Sequence, residues 1–145
     1  MTETLSPTLL RPEVTAALAR GVSRMLIERA MAPVLELPLR NGRRADIAAL
    51  SASGEIWIVE TKSCVADYAV DMKWRDYLDY CDRFYFGVDE HFPREIIPEE
   101  AGLIVADGFG GAILRESIVR PLAGARRKAV TLSFARLAAF RGALL

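Results

Sequence analysis

Apolar residues recur at two different spacings along this chain, and the difference separates predicted helices from predicted strands. A helical spacing of three to four residues covers 13–31, about 67–82 and 125–144. Short apolar runs bounded by turn residues predict strands at 34–39, 44–50, 55–62, 84–88, 102–106 and 112–115. Two prolines within 91–100 predict a loop or a short turn of helix there.

The turns between the strands predict how the strands pair. Asn41-Gly42 is a strong hairpin signal, and Ser51–Gly54 is a second tight turn. The first three strands should therefore form an antiparallel meander. The order strand, helix, strand over 55–88 predicts a parallel crossover. We expect an α/β sandwich of the restriction-endonuclease type, with a mixed central sheet flanked by helices.

Composition narrows the class of protein. A chain of 145 residues fits one domain, in which residues 1–11 form a loose N-terminal segment. Hydrophobic residues make up 52% of the chain, which is enough to bury a core. Cys64 and Cys81 lack the paired spacing of a zinc site. The chain shows neither a secretory signal nor an apolar run of about 20 residues, so we expect a cytoplasmic protein without a membrane span.

Charge is balanced overall but unevenly distributed. The 19 Lys and Arg residues cancel the 19 Asp and Glu residues. Residues 1–44 carry 7 basic and 4 acidic side chains, 45–110 carry 5 and 14, and 111–145 carry 7 and 1. An acidic centre between basic segments suits a metal-dependent enzyme that acts on a polyanion. The alternative is that these charges belong only to solvated faces.

A candidate site lies where the second and third strands should meet. Side chains alternate along a strand, so Glu60 and Lys62 share one face of the third strand. If the turn pairs Leu50 with Ile56, the same register sets Asp46 against Glu60 and brings Lys62 to the same end of the sheet. The distribution of apolar residues favours this pairing, because a slip of one residue would send one set to the other face.

Two adjacent carboxylates are unfavourable unless a proton or a cation lies between them. Mg²⁺ satisfies such a pair with oxygen ligands, for which the backbone carbonyl of Thr61 is a further candidate. A lysine beside the metal suits phosphodiester hydrolysis, because both cations stabilise the charge that develops on the phosphate. An isolated Glu-x-Lys sequence on a strand would instead be an ordinary surface ion pair.

The predicted helix over 67–82 adds two further candidates. Lys73 and Tyr77 are four residues apart, so both side chains could reach the same end of the sheet. Tyr77 could equally be an ordinary core residue. For Trp74, core packing is the favoured interpretation.

These residues carry a resemblance. Asp46, followed on the next strand by Glu60-x-Lys62, resembles the PD-(D/E)XK nuclease superfamily, which includes restriction endonucleases, junction resolvases and repair nucleases. Over about residues 12–141, the segments GRRAD, GEIWIVETKS, VADYAVDMKWRDYLDYCDRFYFGV and FPREIIPEEAGLIVAD resemble the MmcB family of bacterial DNA-repair proteins. Members of that family are proposed nucleases linked to tolerance of DNA crosslinking damage.

The resemblance implies a role for each residue of the motif. Asp46 and Glu60 would be metal ligands, and Lys62 would be the catalytic lysine. Lys73 and Tyr77 fall where related nucleases carry a Gln-x-x-x-Tyr pair, with lysine in place of glutamine.

The resemblance also implies a further acidic ligand, because many relatives use a glutamate of the first helix. Glu13 and Glu28 are both candidates, and the sequence does not choose between them. Glu36 is a third candidate, because the first strand borders Asp46 through the Asn41-Gly42 turn.

Basic residues near the predicted site could bind the phosphates of DNA. The candidates are Arg40, Arg43 and Arg44 at the hairpin, and Arg126, Arg127 and Lys128 at the start of the last helix. Cations at a helix start oppose the helix dipole, which favours a binding role over decoration for the second group. Exposed arginines at a turn are also ordinary, so both interpretations stay open for the first group.

The sequence therefore predicts a Mg²⁺-dependent DNA nuclease of DNA repair, in which Mn²⁺ could replace Mg²⁺. The alternative is a catalytically silent DNA-binding or scaffold module with the same fold. RNA as the substrate is a third interpretation. DNA is the expected partner, no membrane is involved, and a homodimer or a repair-protein partner stays open.

Overall fold

The structure is a computed structural model that describes residues 11–65 and 73–145. Within these residues, two α-helices and six strands follow one another as α1 (Arg11–Glu28), β1 (Ala32–Pro38), β2 (Arg44–Leu50), β3 (Ile56–Lys62), β4 (Arg83–Val88), β5 (Gly102–Ala106), β6 (Gly111–Arg115) and α2 (Gly124–Ala143). Short 3₁₀ helices span Trp74–Tyr80 and Arg94–Ile96. Within the described residues, no helix is both long and apolar enough to cross a membrane.

All six strands belong to one sheet in the order β1-β2-β3-β4-β5-β6. β1 to β3 pair antiparallel, β3 to β5 pair parallel, and β6 returns antiparallel. The predicted meander and parallel crossover are thereby confirmed, as is the α/β class. The parallel strands β3 to β5 end at one edge of the sheet, which we call the carboxyl edge.

The predicted register between β2 and β3 is also confirmed. Leu50 pairs with Ile56 and Ala48 pairs with Ile58. The regular ladder stops one step before Asp46 and Glu60. At these two residues, hydrogen bonds between side chain and backbone replace the backbone ladder between the strands.

The predicted α-helix over 67–82 is corrected in its described part. Residues 66–72 lie outside the described residues, and Trp74–Tyr80 is a 3₁₀ helix. That helix ends because Cys81 is extended (φ −147°, ψ 156°) and the N–H of Asp82 donates to the Ile56 carbonyl of β3. The expected burial of Trp74 is confirmed, since it packs on the aromatic side chain of Phe84.

Hydrophobic side chains cover both faces of the sheet. On one face α1 packs over β2 to β5, and on the other the 3₁₀ helix Trp74–Tyr80 and α2 cover the sheet. Gly21 brings α1 close to the carboxyl edge, because a Cβ at this position would lie 1.6 Å from the Asp107 carbonyl oxygen. The glycine in the middle of α1 therefore has a packing reason, despite its low helix propensity.

Candidate active site

Asp46 and Glu60 are held together where the β2–β3 ladder ends. The backbone N–H of Asp46 donates to Glu60 Oε2 at 2.7 Å. In return, Asp46 Oδ2 accepts from the Thr61 N–H at 2.9 Å and from Thr61 Oγ1 at 3.2 Å. Each carboxylate thus replaces a backbone partner of the opposite strand. Both side chains are fixed by the sheet itself.

A matched irregularity in β1 and β2 sets the direction of these side chains. Val34 and Leu37 of β1 belong to the same core face although they are three residues apart, and so do Ala45 and Ala48 of β2. Strict alternation would place such residues on opposite faces. The change of phase in β1 coincides with Glu36, whose φ of 55° is left-handed.

The carboxyl groups of the pair resist ionisation. Glu60 is only 3% exposed. Loss of solvent is the main cause that raises its pKa to about 8, and the neighbouring charge of Asp46 raises it further. Loss of solvent also raises the pKa of Asp46, against the opposing effects of hydrogen bonds from Thr61 and the charge of Lys62. A cation bound between the groups would favour the ionised form of both.

Lys62 and Tyr77 complete the described surroundings of Glu60. Lys62 is buried on the strand that carries Glu60, and its charge acts on both carboxyl groups. Tyr77 is buried in the 3₁₀ helix, hydrogen-bonds Glu60 and approaches the Arg44 carbonyl at 3.5 Å. The structure therefore brings together four residues that the sequence predicted for the site. Lys73, which precedes the helix, is exposed, and its role stays a prediction.

Among the candidate glutamates, Glu36 lies across from Asp46. The flanking ladder pairs, Leu35 with Ile47 and Leu37 with Ala45, set the two acids opposite each other. Glu36 is exposed and forms an ion pair with Arg44 at 3.5 Å.

The two candidates on α1 lie at its opposite ends, and both are exposed. Glu28 ends the helix just before β1, whose first residue Ala32 pairs with Leu50 at the far end of β2. It is therefore remote from Asp46. Glu13 belongs to the first turn of the helix.

The arginines of the β1–β2 hairpin differ in their exposure and in their ion-pair partners. Arg43 is engaged by Asp76 at 3.2 Å, and Asn41 Nδ2 donates to the Asp76 carbonyl oxygen at 3.1 Å. These contacts tie the β1–β2 hairpin to the 3₁₀ helix. Arg40 and Arg44 are both exposed. Phosphate binding by the three arginines stays a prediction, in which Arg43 would have to exchange its carboxylate partner.

The basic start of α2 lies toward the opposite end of β3. Arg127 pairs with the buried Asp82 at 2.6 Å and donates to the Gly54 carbonyl oxygen at 2.7 Å. Gly54 precedes Glu60 by six residues, which is about 20 Å along an extended strand. Arg126 lies over the Tyr80 ring at 4.4 Å, and Lys128 is exposed. The Asp82–Arg127 anchor is a structural site that the sequence interpretation missed.

The chemistry of the carboxylate pair fits a hard divalent cation. Such ions take oxygen ligands, and the half-buried Asp46 and the buried Glu60 present carboxylates whose ionised form lacks a sufficient counter-charge. In the described ranges 11–65 and 73–145, no three His, Cys, Asp or Glu side chains cluster as a complete metal site. Backbone oxygens, water or substrate phosphate would have to supply the remaining ligands.

A mixed six-stranded sheet with flanking helices defines an α/β protein, and the carboxylate pair with its lysine lies at the carboxyl edge of that sheet. The family model described as DNA repair protein MmcB-like matches residues 5–145. The chain belongs to this family, and its role lies in DNA repair.

Comparison with solved structures finds a protein of unknown function from Silicibacter pomeroyi with a TM-score of 0.85 and 42% identity, covering 92% of this chain and 90% of that one. A repair endonuclease from Pyrococcus abyssi is a remote match, with a TM-score of 0.36 and 20% identity over 60% of this chain and 40% of that one. Among curated proteins, no sequence matches significantly.

Proposed function

We propose that the protein is a Mg²⁺-dependent nuclease that hydrolyses phosphodiester bonds of DNA during repair. The observation that carries the proposal is the pair of the half-buried Asp46 and the buried Glu60, with raised pKa values, beside Lys62. Two adjacent carboxyl groups that have lost solvent and resist ionisation lower the stability of the fold. A cation bound between them would offset this loss, so the pair is a candidate functional site.

Each residue has a distinct task in this proposal. Asp46 and Glu60 hold the cation, with the backbone carbonyl of Thr61 as a further oxygen ligand. Mg²⁺, or Mn²⁺ in its place, supplies Lewis-acid polarisation of the phosphate when bound. Lys62 orients the attacking water or stabilises the negative charge that develops on the phosphate oxygens. Tyr77 keeps Glu60 in position through their hydrogen bond.

Three surface residues serve the same site in supporting roles. Glu36, across from Asp46, is the candidate for an additional acidic ligand, since its exposed carboxylate can turn from Arg44 toward a cation. Arg40 and Arg44 flank the hairpin beside β2 and are candidates for contact with DNA phosphates.

Cleavage of labelled single-stranded, flapped, branched and duplex DNA in Mg²⁺ or Mn²⁺ tests the proposal. Glu60→Gln and Lys62→Met should each lower the rate by about 10²-fold or more, because each removes a charge that acts on the reacting phosphate. Glu95→Gln makes the same chemical change at an exposed position and should cleave normally. Equal cleavage by wild type and both site variants would refute the assignment.

A DNA-binding or scaffold module is the second candidate, and one observation favours it. In the described part of the chain, no third His, Cys, Asp or Glu side chain joins the pair to form a complete metal site. Such a module would bind DNA equally with Mg²⁺ and with EDTA and would cleave none of the substrates. A nuclease would cleave, and its activity would disappear in EDTA.

A further inference from the structure

A long open groove separates α1 from β1, and we call it the α1–β1 groove. Its volume is about 990 Å³. Helix residues Thr15, Arg20, Ser23 and Arg24 form one wall, and Leu35 and Glu36 of β1 form the other.

The groove leads to the candidate active site. Glu36 lines it and lies across from Asp46 in the β1–β2 register. The left-handed φ of Glu36 lets Leu35 and Glu36 both line the groove, whereas an alternating strand would turn one of them inward. Leu35 consequently remains 41% exposed although it belongs to a strand. An irregular strand thus joins the groove to the carboxylate pair.

The helical wall carries two cations with the right spacing for a polyanion. Arg20 and Arg24 are one turn apart, so their side chains project from the same face of α1. Both are exposed, and no carboxylate of residues 11–65 or 73–145 forms an ion pair with either. Every other arginine discussed above, apart from Arg40, already has a described partner.

The free edge of β1 is partly covered by α2. Arg141 of α2 donates to the Leu35 carbonyl oxygen at this edge. A β-strand partner would have to displace that bond. The charge of the helical wall favours a polyanion instead.

We propose that the α1–β1 groove binds a single strand of the DNA substrate and leads its backbone to the carboxylate pair. The inference rests on the proposed nuclease function. Arg20 and Arg24 contact successive phosphates, while Ala16, Ala19 and Leu35 form an apolar floor for sugars or bases. From Thr15 to Arg24 the wall is about 14 Å long, which matches about four stacked nucleotides.

The test measures binding of a short fluorescein-labelled single-stranded DNA by anisotropy, in EDTA, so that no cleavage occurs. Affinity is recorded over a series of salt concentrations for wild type and for Arg20→Gln/Arg24→Gln. Losing two phosphate contacts should weaken binding about tenfold and reduce the slope of log K against log salt by about 1.4. The matched control, Arg94→Gln/Arg136→Gln, neutralises two arginines outside the groove and should retain the wild-type slope.

Cleavage by wild type, measured in parallel, separates this inference from the proposed function. Cleavage together with an unchanged slope in Arg20→Gln/Arg24→Gln would overturn the groove assignment and leave the nuclease standing. The predicted slope change without cleavage would support the groove and favour a binding module. If wild type neither binds single-stranded DNA nor cleaves any substrate, both proposals fail.

Discussion

Buried carboxylates lie near both ends of β3, and their surroundings are opposite. Near its first residue, Asp82 accepts from the backbone N–H groups of Ile56 and Leu122 and from both Nη atoms of Arg127. Burial alone would raise the pKa of Asp82, but these hydrogen bonds outweigh it and lower the pKa. Near the last residue, Asp46 and Glu60 share few donors, and their pKa values are raised.

This difference indicates a structural role for Asp82 and a chemical role for the pair of Asp46 and Glu60. Asp82 joins the β2–β3 turn, the start of β3 and the start of α2 through a fully satisfied network. The carboxylate pair is rigidly held but short of positive charge. Carboxylates that lack enough positive charge around them are candidates for ligand binding. A carboxylate whose hydrogen bonds are all satisfied is a candidate for stabilising the fold.

Asp82→Ala should produce the largest loss of stability. Removing the carboxylate leaves the Arg127 guanidinium and two backbone N–H groups without their partner, and breaking such a buried pair costs about 3–5 kcal/mol. Urea unfolding measures the change. Asp79→Ala, at an exposed position three residues away, is the control and should cost little. Similar stabilities for the two variants would show that the network contributes little to folding.

Mg²⁺ should stabilise the wild-type fold, because the ion binds a site that exists only in the folded state. At about 100 times its dissociation constant, the gain would be about 2.7 kcal/mol. Thermal unfolding with MgCl₂ or with EDTA measures it at pH 8. Asp46→Asn should abolish the gain, whereas Asp79→Asn should retain it. An equal gain in all three proteins would place cation binding elsewhere.

The pH dependence of stability should have opposite signs at the two ends of β3. Between about pH 4.5 and 8 the folded protein holds a proton on Glu60 that the unfolded chain releases. Metal-free stability should therefore fall as the pH rises through this range, approaching about 1.4 kcal/mol per unit. Asp82 acts in the other direction, since its contribution is lost only as the pH falls below its ordinary pKa of 3.8.

Urea unfolding in EDTA across this pH range tests the sign. Glu60→Gln cannot ionise, so its stability should be nearly flat where that of wild type declines. A wild-type profile that instead rises between pH 5 and 8 would contradict the raised pKa of Glu60.

Glu36 should give the smallest effect. A non-glycine residue at φ 55° costs about 1 kcal/mol or more, which glycine avoids. Glu36→Gly should therefore be more stable than Glu36→Ala by about 1 kcal/mol, although both remove the carboxylate. Comparing these two variants by urea unfolding isolates the backbone. Equal stabilities would indicate that the left-handed conformation stores no strain.

The success of the sequence prediction depended on how local each signal was. Strands β2 and β5 have the predicted bounds, because short apolar runs and the turns around them act over a few neighbours. The pairing of Leu50 with Ile56 followed from a short turn. The prediction of an α-helix around Trp74 was wrong, because burial of one face does not distinguish an α-helix from a 3₁₀ helix.

The candidate site was predictable to the same extent. Asp46, Glu60 and Lys62 come from two strands joined by one turn, so the register that this turn sets was enough to predict that they lie close together. The bond from Thr61 to Asp46 was not predictable, because β2 changes the phase of its alternation between Ala45 and Ala48, on either side of Asp46. That change is invisible in a pattern of apolar and polar residues.

By itself, the sequence determined the strand order of the meander, the crossover and the meeting of two carboxylates, since all of these follow from contacts between near neighbours in the chain. Only the tertiary structure decided that Arg127 would serve Asp82, 45 residues away, and that Arg20 and Arg24 would face β1 across a groove. Helical and strand periodicities specify which side of an element is buried. They do not specify which charged group of a distant element that side will meet.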